Sequence, residues 1–147
     1  MKQSLLIVLL AIFMLARPAF AGEQNSIAIV KKAKGQVTVK RDGQVLPLQA
    51  RDNLQAGDIL ITGLQSQVGI IFADGSVLFL EENSFLRIKE FVFKPLEDNF
   101  KFKLYMKKGT ALFETGKIGK LAPKSFEFKI PKGTIGIRGT KFLVEVK

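Results

Sequence analysis

Apolar and polar residues alternate with a period of two along much of the chain after residue 26. Residues 35–40, 100–104 and 125–130 alternate in this way, which is typical of half-buried β-strands. No long segment after the first 21 residues has the period of an α-helix. Several short strands separated by turn residues predict an all-β fold, either a sandwich or a barrel.

Residues 68–80 contain two apolar segments around the pair Asp74-Gly75, and this pattern predicts a central β-hairpin. Asp-Gly favours a type I′ turn with a two-residue loop, because that turn needs positive φ at both central residues. This register places Phe72 opposite Val77 on one face of the hairpin. Its other face is apolar as well, so we expect the hairpin to be covered on both sides at the centre of the fold.

A second Asp-Gly pair, Asp42-Gly43, predicts another hairpin near the beginning of the chain. It sets Val39 opposite Leu46, and we expect both side chains to point inward. Pro47 has no backbone N–H to donate, so its strand should lie at an edge of the sheet.

Several different short motifs are distributed from the middle of the chain to its end. In chain order the motif residues are Gly57, Asp58, Thr62, Asp74, Gly75, Ser76, Arg138, Gly139 and Thr140. Their order and spacing resemble a FecR-type domain, over roughly residues 35–146. The resemblance implies a jelly-roll-like β-sandwich of short antiparallel strands, in agreement with the all-β prediction.

The first 21 residues have the features of a secretory signal peptide, which we expect to form a helix. Lys2 precedes an apolar segment at residues 5–16, and an Ala-x-Ala site ends at Ala21. The alternative is an uncleaved membrane anchor, but the apolar segment is short and Pro18 interrupts it. Cleavage after Ala21 leaves residues 22–147 as a single domain, in the periplasm or secreted, with no transmembrane segment.

The family resemblance implies a function as well as a fold. Similar domains form the periplasmic part of regulators that sense an outer-membrane transporter and control an extracytoplasmic-function sigma factor. The resemblance therefore implies a non-enzymatic binding or signal-relay module that contacts another envelope protein. This chain departs from that architecture, because a cleaved signal peptide leaves no membrane helix and no cytoplasmic sigma-binding segment.

Composition excludes several kinds of active site. The chain has no His and no Cys, which removes His-based triads, Cys nucleophiles and most zinc and transition-metal sites. Paired carboxylates could hydrolyse glycosides, but Glu81 and Glu82 are adjacent in a predicted turn and point in different directions. We therefore expect no catalytic residue, no metal and no cofactor.

The charge favours anionic partners. The formal net charge is +10, and cleavage would remove two of the 23 basic residues and none of the 13 acidic ones, leaving +8. Nucleic acid is a poor partner for an exported protein, so lipopolysaccharide, anionic phospholipid, a wall polymer or an acidic protein surface are the candidates. A structural envelope protein that docks on such an anionic surface or glycan is therefore the alternative to the relay module. The other interpretation is a solvated surface, because the lysines are spread along the strands.

Two further features are candidates for contacts. Residues 117–124 form a basic segment with Gly and Pro, and we expect an irregular contact loop carrying Lys117, Lys120 and Lys124. The chain has 13 Phe but no Trp and one Tyr, so the Phe residues should fill the core rather than form a platform for sugars. A carbohydrate-binding module remains an alternative.

Arg138 lies between two predicted strands, residues 134–137 and 141–146. Its guanidinium could brace an internal carboxylate such as Asp58 or Asp74, or could clamp a carboxylate or phosphate of a ligand. In similar proteins the Arg-Gly-Thr motif occurs together with the Asp-Gly-Ser hairpin, and this favours the internal brace.

Overall fold

The computed structural model describes residues 25–137, residue 139 and residues 141–147. The predicted signal peptide, Arg138 and Thr140 lie outside the described residues. The strands are β1 Ala28–Lys34, β2 Val37–Arg41, β3 Gln44–Pro47, β4 Asn53–Leu54, β5 Ile59–Thr62, β6 Gln67–Phe72, β7 Val77–Leu80, β8 Phe85–Lys94, β9 Asn99–Glu114, β10 Phe126–Ile130, β11 Gly133–Ile135 and β12 Lys141–Val146. Among the described residues, an α-helix, α1 (Lys117–Leu121), and two 3₁₀ turns (Pro95–Glu97 and Pro123–Ser125) connect the strands. The predicted all-β class is confirmed.

The strands form one curled sheet in the order β3-β2-β5-β8-β9-β7-β6-β1-β4, and β10, β11 and β12 extend it from β9. β9 is shared by two halves of the sheet. The first half-sheet contains β3, β2, β5, β8, β10, β11 and the beginning of β9, and the second contains β4, β1, β6, β7, β12 and the end of β9. Gly109, with φ +103°, lies where β9 passes between them, and a Cβ there would collide with Ser84.

Two features of this sheet differ from the expected set of short antiparallel strands. β8 and β9 are long rather than short, with 10 and 16 residues. β10 pairs with β9 in parallel, since α1 lies in the crossover between them. The jelly-roll connection of the strands stays a prediction.

Phenylalanine side chains join the inner faces of the two half-sheets. Phe72 of the second half-sheet lies 4.6 Å from Phe102 of the first, measured between ring centroids. Phe102 also contacts Phe113 and Phe126, at 5.6 and 5.3 Å. Each fully buried Phe stabilises the fold by about 2 kcal/mol. These rings therefore belong to the core that closes the curled sheet.

The central hairpin forms between β6 and β7, but the register that we predicted was wrong by one residue. Val77 lies opposite Ile71, not opposite Phe72. The N–H of Gly75 donates to the carbonyl oxygen of Phe72 at 2.9 Å, and Gly75 alone in the loop has a positive φ, +85°. This is a three-residue loop with glycine in the left-handed position, rather than the two-residue type I′ loop.

The shifted register changes which residues face the core. Leu78 and Leu80 of β7 are fully buried, while Val77 is 36% exposed and Phe79 is partly exposed. Only one face of the hairpin is therefore covered completely, and the expectation that both faces are covered was wrong. The hairpin does lie inside the sheet, since β6 pairs with β1 and β7 pairs with β9.

The hairpin at Asp42-Gly43 has the predicted register, with Val39 opposite Leu46. Both turn residues have positive φ, 49° and 78°, as a type I′ turn requires. β3 is an edge strand, as Pro47 predicts. Leu46 is nevertheless 41% exposed, because this end of the edge strand is not covered, so its predicted inward position was wrong.

Candidate functional site

The motif residue Asp58 is held in a buried ion pair at the beginning of β5. Its side chain is 1% exposed, and Arg41 donates to it from Nε to Oδ1 at 2.8 Å and from Nη2 to Oδ2 at 2.7 Å. The N–H of Gln55 donates to the same carboxylate at 2.8 Å across a turn in which Gly57 has φ +94°. The hydrogen bond to Asp58 raises the pKa of Arg41. This arrangement joins β2 to β5.

The motif Asp74-Gly75-Ser76 connects the tip of the central hairpin to α1. The buried carboxylate of Asp74 accepts the N–H of Ser76 at 3.0 Å, the hydroxyl of Ser76 at 2.8 Å and the N–H of Ile118 at 3.2 Å. Ser76 Oγ in turn accepts the N–H of Gly116 at 2.8 Å. A Cβ on Gly116 would collide with the backbone of the hairpin tip. The motif therefore fixes where α1 begins.

Thr62 ties the end of β5 to the turn before β8. Its hydroxyl donates to the carbonyl oxygen of Glu81 at 2.6 Å and accepts the N–H of Ser84 at 2.9 Å. Ser84 Oγ also accepts the N–H of Thr110 in β9 at 3.1 Å. The side chains of Thr62 and Ser84 therefore satisfy backbone groups of a buried turn beside the point where β9 passes between the half-sheets.

The motif residues that the structure describes thus form three separate braces rather than one pocket. Gly139 is exposed with φ +107°, and the pairing predicted for Arg138 stays a prediction because that residue lies outside the described part of the chain. Sequence reasoning missed Arg41 as the partner of Asp58. The signal is the pairing of Lys40 with Ile59, which puts Arg41 directly opposite Asp58, but it depends on knowing that β2 and β5 are neighbours.

Residues 117–124 were expected to be an irregular loop, and this was wrong for most of them. α1 covers residues 117–121 and a 3₁₀ turn follows, because the buried Ile118 and the acceptor Asp74 hold the first turn of the helix. Lys117, Lys120 and Lys124 are all exposed, and none makes a salt bridge with another described residue.

Six apolar residues lie together on the outer face of the second half-sheet. Strand pairing aligns Leu143, Leu112 and Phe79 in one row across β12, β9 and β7. The next row places Val77, Ile71 and Ile29 side by side on β7, β6 and β1. These six residues, called the apolar face below, are all partly or largely exposed: Ile29, Ile71, Val77, Phe79, Leu112 and Leu143.

Among residues 25–137, 139 and 141–147, no group of three or more His, Cys, Asp or Glu side chains is arranged to hold a metal ion. In the same part of the chain, no helix is both long and apolar enough to cross a membrane.

Comparison with known proteins gives one family. The family model described as "FecR protein" matches residues 58–147, which includes β5 to β12 and the motif residues from Asp58 onward. No curated protein matches the chain. A solved structure titled "Cell surface anchoring domain" is similar at 32% identity, covering 42% of this chain and 82% of its own, with a TM-score of 0.40.

Proposed function

This chain belongs to the FecR protein family, and we propose that it is an exported binding and signal-relay module that acts through a protein contact. The family is a non-enzymatic family of envelope-associated regulators, which supports a module of this class. In this proposal residues 1–21 are cleaved as a signal peptide, and residues 22–147 act as one domain in the periplasm or outside the cell.

The apolar face is the observation that supports a protein contact most directly. The apolar patches that a soluble protein leaves exposed on its surface are often functional. Here Leu143 is 62% exposed, and Val77 and Ile29 are each 36% exposed. A surface of this kind fits a partner that covers it with apolar side chains of its own.

The size of the face indicates a transient partner. It spans five strands, β12, β9, β7, β6 and β1, in two rows. With strands about 4.8 Å apart and rows about 7 Å apart, each position covers about 34 Å², so the six residues cover roughly 200 Å². Two copies would together bury well under the ~1,200 Å² typical of a stable complex. We therefore favour a different protein that binds reversibly, as a signal relay requires, over a second copy of this chain.

Charges at the edge of the face set the chemistry of that partner. Lys32 lies beside the apolar rows on β1, and Lys141, Glu114 and Glu145 lie at the opposite edge. Because both signs are present, the rim does not favour an anionic membrane. It fits a protein surface with an apolar centre and mixed charges around it.

Photo-crosslinking in the native envelope tests this proposal. A photoreactive residue at position 143 should capture one protein, and the same residue at position 64 should not, although Leu64 is also an exposed leucine, at 76%. The captured protein is then purified and its affinity measured with Leu143→Asp and with Leu64→Asp. We expect a loss of at least about tenfold for Leu143→Asp only, since burying a Leu contributes about 1.5–3 kcal/mol.

Three results would contradict the proposal. They are capture of this chain alone, equal capture from both positions, or a captured protein whose affinity is the same for both variants. Thermal unfolding of the two variants serves as the control for folding, because both side chains are largely exposed and neither change should alter the transition much.

A further inference from the structure

The outer face of the first half-sheet carries a row of basic residues that crosses the strands. Strand pairing aligns Lys40 of β2 with Ile59 of β5, Ile59 with Arg87 of β8, Arg87 with Tyr105 of β9, and Tyr105 with Lys129 of β10. Lys40, Arg87 and Lys129 are exposed, and Ile59 and Tyr105 between them are partly exposed. Successive cations are two strands apart, or about 10 Å.

The charges of this row are available to a ligand. Farther along the same face, Lys101 and Lys103 are paired with Glu90 at 3.6 and 3.2 Å. Lys40, Arg87 and Lys129 make no such salt bridge within the part of the chain that the structure describes. The row therefore keeps its positive charge, whereas the neighbouring Lys101 and Lys103 are paired with Glu90.

A cleft lies at one end of the row, beside two of its basic residues. It has a volume of about 320 Å³, and its charged lining residues are Lys40, Arg41, Asp42, Asp58 and Arg87, which together carry a net charge of +1. Asp58 is already saturated by Arg41 and by the N–H of Gln55, so its charge is compensated. An anionic group that enters this cleft would meet Lys40 from one side and Arg87 from the other.

We propose that this row binds a linear phosphate polymer that runs across the strands from Lys40 to Lys129. Arginine matches the geometry of phosphate oxygens, and lysine binds phosphate as a point charge. The sheet is curled around its core, so its outer face is convex. A flexible chain can follow a convex row, whereas a flat bilayer touches only part of it. This binding is separate from the protein contact proposed for the apolar face.

Salt dependence gives the expected size of the effect. Each phosphate contact with a single-stranded chain contributes about 0.7 to the slope of log affinity against log salt concentration. Three contacts give a slope of about −2, so affinity should fall about 16-fold between 50 and 200 mM salt. Removing the three charges should remove most of this dependence.

The experiment uses fluorescently labelled inorganic polyphosphate as the probe and the mature protein. The test variant combines Lys40→Gln, Arg87→Gln and Lys129→Gln. The matched control combines Lys117→Gln, Lys120→Gln and Lys124→Gln, which removes the same charge from another exposed surface. We expect the row variant to lose at least about tenfold in affinity at 50 mM salt and the control variant to lose less than threefold.

Other outcomes overturn the proposal. Equal losses in the two variants would mean that only the net charge matters, and a larger loss in the control would place binding at α1. Tighter binding to anionic phospholipid vesicles than to polyphosphate, with the same sensitivity to the row variant, would make the ligand a membrane surface. Arg87→Gln alone should lose about threefold, and no loss would also contradict the proposal.

Discussion

Removing Arg41 should destabilise the protein more than removing the charge of its partner Asp58. The two residues form a bidentate pair, but their environments differ. Asp58 is 1% exposed and Arg41 is 23% exposed. Arg41→Met therefore leaves a carboxylate that is almost fully buried, whereas Asp58→Asn leaves a guanidinium that can be partly hydrated.

The expected magnitudes follow from this asymmetry. Removing one partner of a buried pair costs about 3–5 kcal/mol when the other is left buried, and we expect Arg41→Met to fall in this range. Asp58→Asn keeps the shape of the side chain and leaves a remaining charge that is already partly exposed to water, so we expect about 1–2 kcal/mol. The double variant should cost less than the sum, because it leaves no uncompensated charge.

Urea denaturation of the four proteins measures these free energies as a double-mutant cycle. The exposed pair of Lys94 and Glu97, with side chains 59% and 63% exposed, is the control, and Lys94→Met should change stability by less than about 0.5 kcal/mol. The reasoning is refuted if Asp58→Asn costs more than Arg41→Met, or if Arg41→Met costs no more than the control.

Three further predictions follow from the braces and the surface charges. Arg138→Ala should lower the melting temperature markedly if Arg138 braces the fold, and an unchanged melting curve together with lost partner binding would assign it to a ligand instead. Gly116→Ala should cost at least about 2 kcal/mol and loosen α1, because its Cβ would collide with the hairpin tip. Gly133→Ala is the control, since a Cβ there has nothing within 4 Å. Equal effects of the two changes in thermal unfolding and hydrogen exchange would contradict the role of Gly116 in positioning α1. The hydrogen bond from Lys103 lowers the pKa of Glu90, so the small stabilisation from this pair is present above the ordinary pKa of Glu and is lost as pH falls through the lowered value. An NMR titration of Glu90 should show that midpoint rising in Lys103→Gln, and an unmoved midpoint would exclude this cause.

The two Asp-Gly pairs illustrate how much of the fold can be predicted from the sequence. Both predict hairpins and both hairpins exist, but the register is correct only at Asp42-Gly43. At Asp74-Gly75 the carboxylate is also a hydrogen-bond acceptor for Ile118, which is 44 residues farther along the chain. A local pattern contains no information about that distant partner, so the loop type and the residues that face the core were predicted wrongly.

The same limit explains why the sequence did not predict the partner residues of the braces or the helix α1. Asp58 stands out in the sequence as a motif residue, but its partner Arg41 is identified only by the pairing of β2 with β5. Residues 117–121 have too few residues to show a helical period, and the helix is held by Asp74 and by burial of Ile118. The strand periodicity, by contrast, is local, and the alternation at residues 100–104 corresponds to buried Phe102 and Leu104 beside more exposed lysines.

The central claim is that the apolar face is the contact surface for a second protein. Methyl NMR of the mature protein, titrated with the protein captured from position 143, tests it most directly. We predict that the methyl signals of Ile29, Ile71, Val77 and Leu143 shift or broaden, while those of Leu64 and Leu96, which are exposed elsewhere, stay unchanged. Changes confined to Leu121 and Ile118 of α1, with the apolar face unaffected, would contradict the claim.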